Sequence, residues 1–534
     1  MALSGCLDKA GSAGSSGGGY SKSTAASANG PLWRFHFIGM TELNQSTNAS
    51  KLKEVWSLPA SQDLKKQALD KIAKTPFQLW QKSLPSGTTD QAALIRPLLD
   101  DFITSESYVD LKGPSADYDS VIALRLDPDR ARLWETNLSQ LLSAWKFPKA
   151  QPLNGGVPGW EARARGVTVQ FRHRGNWLLV SWSQGKLGAI NSLSTALEQS
   201  SRPIPALTSS VLELQADLPL LGRWSPILAK HKLPPVDIAL SPRGEYIRTE
   251  GRIHLSEPLA WKPEPWRIPT NLVSDPLVSF SVAQGIAPLL EGLPGYKELG
   301  IKKTPSQVCA WSQGPGTFRT YWAFPMNDAS NVVRRVEPNF TNFLKHYLEE
   351  FSGKLTYMTN DSALVWTGLP LMMPAIKSAV AEGTDYLQLC LLPPPRRQQP
   401  IPPELLTQLQ NRTDILYYDW EITGERASES KLLFQVIDML HLRTLAATNA
   451  PTSKLFEQAG KRLGNTVTEV SAVSPRELKL VRKSHVGLTG FELALLLRWI
   501  DSPLFPLGYE PPASIRHKPG SKPIPAPNPK PSAR

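Results

Sequence analysis

The stretch Ser120-Val-Ile-Ala-Leu-Arg-Leu126, followed at once by Asp127-Pro128, decides how the chain is read. Its apolar run has the length and composition of a strand. Asp127-Pro128 then opens a helix, because proline is tolerated in the first turn, where its missing N–H would have no intrahelical partner anyway. That helix is expected to run to about Trp145. Downstream, Gly166 to Arg174 and Trp177 to Ser183 read as a hairpin around Gly175-Asn176. A helix from about Lys186 to Gln199 closes the unit, giving the order β-α-β-β-α.

Working outward, the same order is expected twice more. In the second unit the strand is Leu277 to Val282 and a short helix spans Gly285 to Leu293. A hairpin follows at Val308 to Trp311 and Phe318 to Phe324, then a long helix over Asp328 to Glu350 and an extra hairpin from Lys354 to Trp366. In the third, a strand at Asp414 to Trp420 leads into a helix over Gly424 to Leu445. The hairpin Thr466 to Val473 and Glu477 to Val481 precedes a last helix, Thr489 to Ile500. A strand in each unit carries Leu-Val, at 179–180, 364–365 and 480–481. Ahead of the first unit, a strand at Trp33 to Ile38 is followed by apolar-periodic stretches at Asp63 to Lys74 and Asp90 to Thr104, which read as helices. The expected fold is therefore α+β: repeated β-α-β-β-α modules with mainly antiparallel sheets, preceded by a helical segment.

Pro-rich connectors at 202–206, 257–269 and 392–403 mark boundaries. The expected organisation is a flexible leader at 1–30, a helical prelude plus first module at 31–265, a second module at 270–392, a third at 404–510, and a disordered tail at 511–534. With 534 residues and 41% hydrophobic content, the chain is long and apolar enough for several packed cores. No run reaches the roughly 18 consecutive apolar residues that span a bilayer.

The two ends carry most of the functional information. Leu3-Ser4-Gly5-Cys6 resembles a lipobox, in which small residues precede a cysteine that takes a diacylglycerol. Gly11 to Ser27, mostly Gly, Ser and Ala, would serve as a flexible tether. Export needs about 7–15 apolar residues before the box, so this reading places them upstream of Met1. Leu7, rather than Asp, after the cysteine favours the outer membrane. The expectation is a lipid-anchored cell-envelope protein, touching the membrane only through Cys6. The alternative is a cytoplasmic partner-binding protein with a chance match at its N-terminus. The tail from Pro511 to Arg534 has five basic and no acidic residues and eight prolines. With the net charge of +12, it suits an anionic envelope polymer or another envelope protein. No zinc-finger spacing, RNA-binding signature or basic-region heptad accompanies the charge, so nucleic acid is not the expected partner.

Chemistry is sparse. The eight histidines have no metal-ligand spacing, and neither a Walker loop nor a dinucleotide-binding glycine pattern occurs, so no metal or cofactor is expected. Ser143-Ala-Trp-Lys146 lacks the partner motifs of penicillin-recognising enzymes. Trp-Ser-Gln-Gly, at 182–185 and 311–314, falls at different points of the proposed repeat and reads as two turns. Three cysteines make no disulfide framework, and Cys309 and Cys390 read as buried thiols. Tyr417-Tyr-Asp-Trp-Glu421 is the most distinctive stretch. Asp419 and Glu421 share one strand face, where paired carboxylates could do acid–base work or bind a ligand. That would make the chain an envelope glycan or peptide hydrolase. The plainer expectation puts Tyr418 and Trp420 in the core and both carboxylates at a solvated end near Arg426. Arg163, Arg165, Arg172 and Arg174 flank the first hairpin and form either a basic stripe for an anionic polymer or a charged, protected edge.

Arg34-Phe-His-Phe-Ile-Gly39, Leu98-Leu-Asp-Asp-Phe102, Ala123-Leu-Arg-Leu126 and Tyr417-Tyr-Asp-Trp-Glu-Ile-Thr423 together resemble uncharacterised bacterial envelope proteins of unknown function, over roughly residues 31–510. That resemblance implies no activity and no site residue. The expected role is accordingly non-catalytic: binding or structural.

Overall fold

The computed structural model describes residues 32–508 apart from internal stretches, the longest being 81–89, 200–209, 222–232 and 441–450. The first half contributes β1 (Trp33–Phe37), β2 (Ser107–Lys112), β3 (Asp119–Arg125), β4 (Gln151–Pro152), β5 (Gly159–Ala164), β6 (Val167–Arg174), β7 (Trp177–Ser183), β8 (Leu212–Ala216), β9 (Val236–Arg243) and β10 (Tyr246–His254). The second contributes β11 (Ser274–Asp275), β12 (Leu277–Gln284), β13 (Gln307–Gln313), β14 (Thr320–Pro325), β15 (Lys354–Met358), β16 (Ala363–Thr367), β17 (Ala375–Ala381), β18 (Thr384–Cys390), β19 (Gln399–Pro400), β20 (Ile415–Ile422), β21 (Asn465–Ser474) and β22 (Glu477–Ser484). β11 and β19 form a small separate ribbon. The remaining strands make one 20-stranded sheet whose pairings are all antiparallel.

The pairings give two runs with the same order. The first is β4-β5-β6-β7-β3-β2-β1-β8-β9-β10. The second is β15-β16-β17-β18-β14-β13-β12-β20-β21-β22. They join edge to edge through β10 and β22. The joint is self-consistent. The hairpin β9–β10 begins its pairing at Arg243↔Tyr246 and β21–β22 at Ser474↔Glu477, an offset of 231 residues (477 − 246). Under that offset the pair Ile247↔Ser484 maps onto Leu478↔Ile253, which is also paired, and Glu250↔Val481 maps onto itself. The two halves thus meet about a local two-fold centred on Glu250 and Val481.

Helices and an antiparallel sheet make the chain α+β, as expected. The grouping into three modules is corrected. The expected third-module strand, β20, lies beside β12, the first strand of the second module. Residues 270–392 and 404–510 therefore share one ten-stranded half. Nor do helices precede the sheet: β1 is its first strand, and α1 (Met40–Gln45), α2 (Ser50–Ser57), α3 (Pro59–Trp80) and α4 (Ala92–Thr104) are inserted between β1 and β2. Hydrophobic periodicity identifies local elements but carries no information on which distant strand completes a ladder.

The local rules hold where they can be checked. The Asp127 side chain accepts from the N–H groups of Asp129 and Arg130 to start α5 (Pro128–Ala144). Gly175-Asn176 joins β6 to β7 as a two-residue turn, with Gly175 at φ 55°. On one face of the sheet, α5 buries Trp134, Leu138 and Leu141 against Leu124, Phe171, Leu178 and Val180. Each such side chain contributes about 1.5–3 kcal/mol of transfer free energy. On the other face, α6 (Gly188–Gln199) packs Ala189, Ile190 and Leu193 against Tyr108, Val121, Ala123 and Leu179. α7 (Leu218–Leu221) and α8 (Ala287–Glu291) are short. α9 (Ala329–Tyr347) packs against β15 to β18 as α5 does in the first half, burying Val332, Val333 and Val336 against Leu364 and Leu387. α10 (Thr423–Leu440), α11 (Pro451–Ala459) and α12 (Gly490–Asp501) complete the chain. Ala60 and Leu64 of α3 meet Leu455, Ala459 and Leu497 of α11 and α12. Lys71 donates to the carbonyls of Ile500, Asp501 and Ser502 at the end of α12. The inserted helix α3 of one half thus packs on α11 and the C-terminal α12 of the other. Among the described residues no helix is long and apolar enough to cross a membrane.

Candidate functional site

β20 places Tyr417, Asp419 and Glu421 on the sheet face that carries α10 and α12. Tyr418 and Trp420 pack against the core beside Val282 and Phe280, as expected, but the carboxylates are not solvated. Asp419 is 6% exposed and Glu421 2%, whereas Tyr418 and Trp420 are only partly buried on the opposite face. The carboxylates end up inside because the whole seam beneath α10 and α12 is polar. Ser281 donates to Asp419 Oδ1 at 2.5 Å. The Gly490 N–H, in the first turn of α12, donates to Glu421 Oε1 at 2.6 Å. A side chain at Gly490 would collide with the Thr423 carbonyl and the Ala427 nitrogen at 2.5 and 2.6 Å, so glycine is what lets α12 approach α10 this closely. Around these groups run hydroxyl pairs: Ser279 with Ser312 at 2.9 Å, Thr423 with Thr466 at 2.7 Å, and Thr466 with Ser484 at 3.1 Å.

The nearby cations are engaged elsewhere. Arg482 makes a bidentate pair with Glu492 at 2.7 and 2.9 Å and also donates to Thr468. Arg426 reaches Glu429 at 3.4 Å. Burial pushes the Asp419 carboxyl above its ordinary range, against the pull of Ser281 and Arg426. It pushes Glu421 up to about 7, with the Gly490 N–H pulling back and the neighbouring Asp419 pushing further. Burial likewise raises Glu429. The pair therefore has the electrostatics of a proton-holding site, but it faces the underside of two helices rather than a cleft.

Sequence reasoning missed a second cluster. His36 on β1 is 0% exposed. Its Nε2 lies 3.1 Å from Glu106 Oε1 and its Nδ1 3.9 Å from Glu213 Oε2. The ring stacks on Tyr108 at 4.2 Å. Burial alone would pull the imidazolium pKa down; Glu106 and Glu213 more than offset this, so it is raised. Beside it, Arg34 makes a bidentate pair with Asp110, both bonds at 2.9 Å. The usable signal was the alternation Arg34-Phe-His-Phe37, which puts both cationic residues on one face. Their partners lie 70 or more residues away.

Of the four hairpin arginines, Arg165 lies outside the described residues, as do Cys6, the leader and the tail. Arg163 is exposed and paired with Glu161. Arg172 and Arg174 share a face of β6, as their pairing with Leu179 and Trp177 shows. Burial, then the neighbouring Arg174 charge, lowers the Arg172 pKa. Arg174 lies at the edge of a cleft of about 540 Å³, lined also by Arg125, Gly175, Asn176, Trp177, Leu197 and Glu198. Cys309 and Cys390 are buried free thiols, and burial raises the pKa of both. Among the described residues no group of three or more His, Cys, Asp or Glu side chains is placed to hold a metal.

Compared with known protein families, curated proteins and solved structures, the chain gives no significant match.

Proposed function

We propose that this chain is a lipid-anchored, non-catalytic cell-envelope protein with a binding role. The leader supports the address: Leu3-Ser4-Gly5-Cys6 followed by a Gly/Ser-rich tether. The observation that carries the binding role is where the charges go. The two carboxylates with the most acid–base potential are enclosed and hydrogen-bonded within the fold, whereas the open cleft is bordered by the two guanidinium groups of Arg125 and Arg174. A concave surface with a few convergent polar groups is the usual form of a binding site. The basic, Pro-rich tail adds a second region suited to anionic material. The two ten-stranded runs read as a duplication, now of a larger unit than the β-α-β-β-α theme.

The test of the address is metabolic labelling with a lipid precursor, using the gene with its native upstream region. Label that is incorporated in the wild type and lost in Cys6→Ser supports the anchor. An unlabelled wild type removes the envelope reading and favours a cytoplasmic partner-binding protein.

A further inference from the structure

We infer that the cleft at the β6–β7 turn binds an acidic sugar, a hexuronate unit of an anionic glycan, with Trp177 as its platform and Arg125 and Arg174 as its carboxylate donors. This rests on the envelope-binding reading above and names a ligand class for it.

The arrangement follows from strand register. Trp177 on β7 is directly opposite Arg174 on β6 and Arg125 on β3. Cross-strand partners project to the same face, so the three side chains form a row Arg–Trp–Arg. Adjacent strands lie about 4.8 Å apart, which sets the two arginine backbones about 10 Å apart, with an indole between them. That span fits one pyranose ring lying on the indole with a substituent reaching to either side. The flat C–H face of a sugar suits an aromatic platform, and a planar guanidinium matches a carboxylate in bidentate geometry.

Both arginines are held from behind while keeping donors in reserve. The Arg125 side chain is 59% exposed, and one of its nitrogens lies 3.4 Å from Glu106. Glu106 is in turn fixed by buried His36 at 3.1 Å. Arg174 Nε sits 3.2 Å from Glu198 Oε1 on α6. Each guanidinium has five N–H donors, so most remain for a ligand. Trp177 is steadied by Tyr108, ring centroids 5.5 Å apart, and Tyr108 itself stacks on His36. The buried cluster of the first half therefore forms the backing of the cleft.

Glu198 decides the ligand class. A carboxylate on the rim repels a multiply charged polyphosphate more than a hexuronate with one charge per ring, and it accepts hydrogen bonds from sugar hydroxyls, as the Asn176 amide oxygen can. A cleft of about 540 Å³ is within the range of small-ligand sites, roughly 300–1,000 Å³. Its dimensions suit one or two sugar rings rather than a protein surface.

The experiment is titration calorimetry of the full chain with trigalacturonate, with maltotriose and inorganic triphosphate as comparison ligands. The expected result is binding of trigalacturonate, little heat with the other two, and affinity lowered about tenfold or more in Arg125→Gln/Arg174→Gln. Trp177→Phe should weaken binding less. Arg132→Gln/Arg248→Gln removes the same net charge at exposed positions elsewhere and should leave affinity unchanged. Circular dichroism melts establish that every variant is folded before titration. A wild type that binds no trigalacturonate, an equal loss in the charge-matched control, or tighter binding of triphosphate overturns the site. Because lipid labelling of Cys6 is read independently, a labelled chain that ignores trigalacturonate sinks this inference and leaves the envelope address standing.

Discussion

The two ten-stranded halves share a strand order, yet they bury their charges on opposite faces of the common sheet. In the first half the charged cluster, His36 with Glu106 and Glu213, lies on the face covered by α6. In the second, Asp419 and Glu421 lie on the face covered by α10 and α12. The register traces this without ambiguity. Glu421 pairs with Thr466, Thr466 lies across from Ser484 by the neighbouring register, and Ser484 pairs with Ile247. Ile247 belongs to the face of Leu240, Leu212 and Phe37, opposite to that of His36. The difference follows from where helices are inserted. Between β1 and β2 the first half inserts α1 to α4, which bury apolar residues such as Met40 and Leu43 with Val211 and Ile247. The second inserts only α8 at that point among the described residues, and instead places α10 and α11 between β20 and β21. A shared strand order dictates pairing, but the covering helices decide which face must be apolar.

The largest expected effect tests the first cluster. His36→Ala leaves the partly buried Glu106 and Glu213 without their shared cation, with Arg125 and Ser210 as remaining partners, and should cost about 3 kcal/mol of unfolding free energy in urea melts. The His36 pKa is raised on folding. Its stabilisation is therefore complete below its unfolded value and fades as pH rises through its folded value. The penalty should accordingly be larger at pH 5.5 than at pH 9. A pH-independent penalty would reduce His36 to a packing residue.

In the second half the substitution should have the opposite sign, although the native group's contribution falls with rising pH in both. Unfolded, Glu421 ionises near its ordinary value of 4.5; folded, near 7. Between these values the folded chain holds the extra proton, so this group's contribution falls as pH rises through that window. Glu421→Gln keeps an oxygen to accept from Gly490 and removes the buried charge. It should gain roughly 2–4 kcal/mol at pH 8 and almost nothing below pH 4.5. Loss of stability at pH 8 would mean that the ionised form is held more favourably than its enclosure implies.

The smallest effect compares helix starts. Asp127→Ala at α5 and Thr489→Ala at α12 each remove a capping acceptor and should cost about 1 kcal/mol. Thr489→Ala is expected to cost more, because Glu492 completes a capping box there while also holding Arg482. Thermal melts of the two variants rank them, and a reversed order would break that account.

How far the sequence could be read depended on distance along the chain. The helix start at Asp127-Pro128, the turn at Gly175-Asn176 and the capped helix from Thr489 were legible, because each is specified by neighbours a few residues apart. Tyr417 to Glu421 was legible as a strand with two unlike faces, and Tyr418 and Trp420 do pack against the core, but the carboxylate face was expected in solvent and is enclosed. Charged residues are usually solvated; here α10 and α12 cover the carboxylates, while Ser281 of β12 and the first turn of α12 supply their hydrogen bonds. The Arg–Trp–Arg row was half visible, since Arg174 stood out in the hairpin and Arg125 did not.

What the sequence determined by itself is therefore the alternation of helix and strand and the caps and turns. These rest on periods of two and 3.6 residues and on short-range hydrogen bonds. Only the tertiary structure decided that β20 lies beside β12, that the halves join at Glu250 and Val481, and that His36 meets Glu106 and Glu213. The physical reason is that a strand's pattern shows that one face is to be covered, while the identity of the cover comes from residues tens or hundreds of positions away.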